Sequence, residues 1–290
     1  MTGVYTALVT PFDSAGNIDE TSLRNLVDFQ ISGQVQGLVP VGTTGESPTV
    51  SHEENVRIVG IVVEQAAGRV PVIAGTGSNS TSEAIDMTGQ ARELGASASL
   101  QVAPYYNKPN QEGLFRHFST IADQIDLPLI VYNIPGRSGV NIETATLMEL
   151  AKHPNIIGVK EASGNLAQMM DVIHQRPTGF SVLSGDDNLA FALACLGGDG
   201  VISVASNIIP HQVSRLMKLV QSGNISEARE LHYSLLPLFR AMFLDTNPIP
   251  VKYCLSAMGK VCDSFRLPMT SPGEEVKEAL NRMLESYQLM

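Results

Sequence analysis

Tryptophan is absent from this chain of 290 residues, cysteine occurs three times, and aromatic residues make up 6% of it. Cys195, Cys254 and Cys262 are odd in number and show no metal-like pairing, which argues against a disulfide framework and against a zinc site. Cys254 and Cys262 read as members of one helical segment, and buried, reduced thiols are expected at all three positions. Basic residues are also scarce. Nineteen Lys and Arg against 29 Asp and Glu leave a formal charge of −10, and no basic cluster offers a nucleic-acid footprint. No apolar run approaches the ~18 residues that span a bilayer. The start, Met1-Thr2-Gly3-Val4-Tyr5, lacks the basic and apolar regions of a secretion signal. A cytoplasmic protein with neither nucleic-acid nor membrane partner is expected. Nucleotide signatures are missing too: Gly75-Thr76-Gly77 lacks the further glycine of a dinucleotide loop, and no Walker-type glycine-lysine motif occurs. No histidine or carboxylate cluster has metal-ligand spacing, so neither a metal nor a nucleotide cofactor is expected.

What is present is 43% apolar residues arranged in a repeating order. Short apolar runs at Val4–Thr10, Gly37–Val41, Val70–Ala74, Ala98–Val102, Leu127–Tyr132, Ile156–Lys160, Phe180–Leu183 and Gly200–Val204 each end in a turn rich in small residues. Helical patterns follow most of them. Asp19 is placed to cap a helix carrying Leu23, Leu26, Val27 and Ile31, while Ser51 with Glu54 and Ser80 with Glu83 have capping-box spacing. Eight strand-then-helix units with uniformly apolar strands predict a parallel sheet buried on both faces and closed into a (β/α)8 TIM barrel. Residues 1–224 are assigned to that barrel and its active site. Residues 225–290 form a C-terminal helical region expected to lie against the barrel, since no linker separates them.

Of the seven lysines (108, 152, 160, 218, 252, 260 and 277), only Lys160 ends a short β-type apolar run and opens a small-residue turn, Glu161-Ala162-Ser163-Gly164-Asn165. Burial there would disfavour the ammonium form and favour a free amine able to attack a ketone. Taken alone, the residue reads equally well as a strand-end lysine reaching solvent.

Barrel active sites lie at the C-terminal ends of the strands. Those ends carry Thr43-Thr44, Tyr105-Tyr106, Tyr132, Arg137, Lys160, Gly185 and Ile202. Each has an ordinary explanation as packing residue, turn residue or surface charge, and it is their joint placement that forms a chemical set. An amine, several phenols, two hydroxyls and one guanidinium suit iminium chemistry on a 2-oxo acid. Asp186 and Asp187 follow the seventh strand, where they would repel a phosphate.

Three stretches carry a resemblance: Gly42-Thr43-Thr44-Gly45-Glu46-Ser47, Tyr132-Asn133-Ile134-Pro135-Gly136-Arg137-Ser138-Gly139, and Ile157-Gly158-Val159-Lys160-Glu161-Ala162-Ser163-Gly164-Asn165. Leu183-Ser184-Gly185-Asp186-Asp187, Gly200-Val201-Ile202-Ser203 and Asn247-Pro248-Ile249-Pro250-Val251-Lys252 extend it over nearly the whole chain. The sequence resembles the dihydrodipicolinate synthase and N-acetylneuraminate lyase family. The resemblance implies a Schiff base between Lys160 and pyruvate without a separate cofactor, and a proton relay of Tyr132, Thr43 and Tyr106, the last reaching a partner subunit. It implies pyruvate carboxylate binding by Thr44, with Gly185 and Ile202 lining the site. Arg137 and the paired threonines point to L-aspartate 4-semialdehyde as the second substrate, while sialic acid or sugar-acid cleavage is the alternative within the family. A homotetramer of tight dimers is implied. Ser47, His52, Asn79, Glu83 and Tyr105 match a lysine-inhibitor site, from whose usual pattern Asn55 and Pro48 depart.

Overall fold

The computed structural model describes residues 1–290. Its strands are β1 Gly3–Ala7, β2 Gly37–Val39, β3 Ile73–Gly75, β4 Ala98–Val102, β5 Leu129–Asn133, β6 Ile156–Glu161, β7 Ser181–Ser184 and β8 Gly200–Ser203. Parallel ladders run in the order β2-β1-β8-β7-β6-β5-β4-β3. The ring closes between β2 and β3 through a single parallel bridge, Leu38 with Val72, and two hydrogen bonds: Leu38 N–H to the Pro71 carbonyl (3.0 Å) and Gly75 N–H to the Pro40 carbonyl (2.9 Å). Pro40 and Pro71 can accept but not donate, which is why this seam carries no regular ladder.

Strand alternation sorts the side chains. Leu129 and Val131 face the surrounding helices, whereas Ile130 and Tyr132 join Leu100, Leu183 and Ile202 inside the barrel. Tyr132 is the register partner of Lys160, and Lys160 is in turn the partner of Leu183. Lys160 therefore shares the inner face with Tyr132, and Glu161 points outward.

Helix starts follow local chemistry closely. Asp19 accepts from Ser22 N–H ahead of helix Glu20–Ser32, and Ser51 and Glu54 form a complete capping box on helix His52–Ala66. The capping box expected at Ser80 is not formed: Glu83 instead accepts a hydrogen bond from Ser78 Oγ (2.7 Å), and the Ser80 hydroxyl meets that of Ser82. The cysteine expectation also needs correcting. Only Cys254 is buried, where desolvation raises its thiol pKa to about 12, whereas Cys195 and Cys262 are exposed and Cys262 lies beyond the end of helix Ile249–Ala257.

Helices Ile225–Ala241, Ile249–Ala257 and Glu274–Ser286 complete the chain. Leu235, Leu238, Val251, Leu255 and Leu280 belong to the same continuous core as Leu8, Val9 and Phe12, which begin just after β1. Two hundred residues of sequence separation thus collapse into one apolar layer, and helix Ile249–Ala257 reaches the turn that follows β2 through Lys252.

Candidate active site

Lys160 is 5% exposed. Its Nζ lies over the face of the Tyr132 ring, 4.1 Å from the centroid, and it makes no ion pair. Asp186 is near enough to feel its charge: burial pushes that carboxyl above its usual range, and Lys160 opposes the shift. Gly185 leaves room for the amine's stem, since a Cβ there would sit 3.1 Å from Lys160 Cε and only 2.5 Å from Ala162 Cβ. Ile202 is fully buried in the inner barrel cluster with Tyr132 and Leu183.

Thr43 and Tyr132, two members of the expected relay, line one small void of about 30 Å³. Tyr106 does not join them. It is 90% exposed on the segment after β4, with a positive φ of 71° that tyrosine adopts only under constraint. Thr44 is almost fully buried in the turn Thr43–Gly45, and its Oγ1 accepts a hydrogen bond from Asn247 Nδ2 (3.1 Å). Arg137 is exposed at the rim and donates from Nη2 to the Asn247 carbonyl (3.0 Å).

Beside this lies a cleft of about 350 Å³ whose walls include Thr43 and Arg137 together with Ser47, His52, Glu83 and Tyr105. Four of the five candidate inhibitor residues are therefore assembled. Asn79 is not on the wall; its Nδ2 donates to the Tyr105 carbonyl (3.1 Å), holding that loop. Pro48 and Asn55 line the same cleft, and the Asn55 amide donates to the Gly75 carbonyl (3.0 Å).

Two further carboxylates at the strand ends serve the scaffold. Glu161 accepts from Ser163 N–H (2.7 Å) and Asn133 Nδ2 (3.1 Å), and burial raises its pKa. Asp187 accepts from Val204 and Ala205 N–H (3.0 and 2.9 Å), so it pins the end of β8 instead of facing the mouth. No group of three or more His, Cys, Asp or Glu side chains converges on one point. No helix is long and apolar enough to cross a membrane.

Sequence reasoning gave no task to Glu46, Asn247 or Lys252. Lys252 and Glu46 form a fully buried ion pair under the Thr43–Gly45 turn, with Lys252 Nζ also 4.1 Å from the Phe12 ring centroid. The signal was available: a lysine inside the apolar stretch Ile249–Leu255 must be buried with its helix, and a buried charge needs a partner.

The comparisons agree along the whole chain. The profile of the Dihydrodipicolinate synthetase family matches residues 1–287. A relative named 4-hydroxy-tetrahydrodipicolinate synthase, from Syntrophus aciditrophicus, is 50% identical over 288 residues, covering 99% of each chain. Among solved structures, the dihydrodipicolinate synthase of Acinetobacter baumannii in complex with pyruvate superposes with a TM-score of 0.98 at 41% identity, covering 100% of this chain and 99% of that one. The enzyme of Cyanidioschyzon merolae with lysine bound gives 0.97 at 40% identity, with the same coverage. With a family profile and a half-identical relative both spanning it end to end, this chain belongs to the dihydrodipicolinate synthetase family.

Proposed function

We propose that the chain is a lyase condensing pyruvate with L-aspartate 4-semialdehyde to 4-hydroxy-tetrahydrodipicolinate, in the diaminopimelate route of lysine biosynthesis. The observation that carries this is an amine on the inner face of the barrel, in register with a phenol and paired with no acid. Relatives bearing that activity's name match in length, and a solved structure of one shares the fold.

In this reading Lys160 adds to C2 of pyruvate and water leaves, giving an iminium. Loss of a proton from C3 forms the enamine, whose carbon attacks the aldehyde of the second substrate. The amine of that substrate then displaces Lys160 as the ring closes, which frees the enzyme without any external cofactor. Tyr132, Thr43 and Tyr106 pass the protons. Thr44 takes the pyruvate carboxylate, Arg137 that of the semialdehyde, and Gly185 and Ile202 contribute through backbone groups. The exposure of Tyr106 favours its acting in a partner's site, so the dimer is the smallest complete unit and a homotetramer of such dimers the expected assembly. Residues 1–224 then carry the chemistry and 225–290 support it, in a cytoplasmic enzyme. Ser47, His52, Asn79, Glu83 and Tyr105 form the corresponding lysine site.

Turnover is to be measured with pyruvate and L-aspartate semialdehyde, in parallel with N-acetylmannosamine and with glyceraldehyde, and repeated with millimolar lysine. The semialdehyde is expected to be used at least about a hundredfold better, a margin that specific polar recognition readily supplies. Preference for either sugar-derived aldehyde would overturn the substrate assignment, and activity untouched by lysine would remove the inhibitor site alone.

A further inference from the structure

Asn247 touches both groups assigned to the substrates' carboxylates. Its side-chain amide donates to Thr44 Oγ1 and its backbone carbonyl receives Arg137 Nη2. Asn247 is 5% exposed and Thr44 3%, so water does not compete for the first of these bonds. The amide has no other hold: Asn247 Oδ1 is buried with no hydrogen-bond partner.

The direction of the bond matters. A threonine hydroxyl has one hydrogen to give and two lone pairs with which to accept. With Asn247 donating into a lone pair, the Thr44 hydrogen stays available for a ligand. We propose that Asn247 is a positioning residue that sets the Thr44 hydroxyl as a donor toward the pyruvate carboxylate, while its carbonyl steadies Arg137 for the second carboxylate. The proposal rests on the assignment of Thr44 to pyruvate. Residues on the C-terminal side of the barrel thereby organise the binding of both substrates.

Two substitutions change the side-chain contact and leave the backbone one in place. Asn247→Ala removes the donor to Thr44 and leaves the carbonyl to Arg137 in place. Asn247→Asp keeps the shape but turns the bond around, so that the Thr44 hydroxyl must donate inward and a negative charge stands beside the substrate's own. Each variant, as the full chain, is titrated with pyruvate by borohydride trapping and assayed for KM of both substrates, with thermal unfolding as a check on the fold. Asn247→Ala is expected to weaken pyruvate roughly tenfold, the value of one lost hydrogen bond, with KM for the semialdehyde within about twofold; Asn247→Asp is expected to weaken pyruvate further. In a Thr44→Val background, Asn247→Ala is expected to add nothing.

Equal effects on both substrates, an Asp variant no worse than the Ala variant, or additivity with Thr44→Val would each overturn the role of Asn247 while leaving Thr44 in place. A Thr44→Val variant that binds pyruvate normally would overturn the Thr44 assignment and this inference together.

Discussion

The molecule holds two buried lysines against aromatic rings at the same distance, and they have opposite fates. Lys160, in the barrel, has its Nζ 4.1 Å from the Tyr132 centroid; Lys252, in the C-terminal region, has its Nζ 4.1 Å from that of Phe12. Ring contact therefore does not tell them apart. Lys252 is fully buried and paired with Glu46, and although desolvation pushes its pKa down, the carboxylate opposes that shift and keeps it occupied. Lys160 is nearly as buried but reaches the edge of the barrel with no carboxylate in contact. An acid within bonding distance holds a buried amine in the scaffold; in the proposed function, the lack of one leaves Lys160 free to add to a ketone.

The sharpest way to break this contrast is to remove each amine. Lys160→Ala is expected to lower turnover by at least about a thousandfold, because the covalent route is lost and nothing nearby replaces it. Its thermal midpoint is expected to change much less than that of a Lys252 variant, since the amine lies against one ring and strands no carboxylate when removed. Borohydride with pyruvate should add mass to the parent chain at Lys160 and none to the variant. A variant that is still trapped, or that unfolds, would show Lys160 to be the structural member of the two.

Lys252→Met is expected to act the other way. It strands the Glu46 carboxylate inside the protein, which costs about 3–5 kcal/mol of stability in urea unfolding. Glu46→Gln together with Lys252→Met should recover most of that loss, because the uncompensated charge goes with it. A double variant as unstable as the single one would mean that packing around Phe12 and Phe265, rather than the charge pair, sets the stability of this seam.

Much of this architecture was legible in the residues, and the reason is local. The eight strands are short apolar runs bounded by small-residue turns, so the runs themselves located them, Ala98–Val102 to the residue. Ser51 and Glu54 made their capping box because its partners are three residues apart. Ser80 and Glu83 had the same spacing and did not, because Ser78 lies within reach of the same carboxylate. What pattern could not supply was pairing across long separations. Asn247 meets Thr44 and Lys252 meets Glu46 over more than two hundred positions, and the motifs hold all four residues without stating which touches which. Tyr106 differs again: its neighbour Tyr105 lines the cleft, yet Tyr106 stands 90% exposed and turns away from it.

A third buried base sharpens the comparison with the smallest expected effect. His117 is 5% exposed; its Nδ1 meets the Thr81 hydroxyl at 2.9 Å, its Nε2 has no partner, and its ring sits edge-on to Phe118. It has neither the acid that fixes Lys252 nor the place of Lys160 at a strand end inside the barrel, and burial lowers its pKa from 6.5 to about 4. The unfolded chain therefore takes up a proton near pH 6.5 that the folded one refuses until about pH 4. The stability tied to the neutral ring is complete above pH 6.5 and is lost as the pH falls toward 4. Between pH 6.5 and 4.5 the parent should lose about 2 to 3 kcal/mol more than His117→Gln, which can keep the bond to Thr81 but cannot titrate. Urea midpoints measured across that range decide it, and parallel declines in the two proteins would mean that the ring is protonated in the fold, with a counter-charge or water at Nε2 making it a paired base like Lys252.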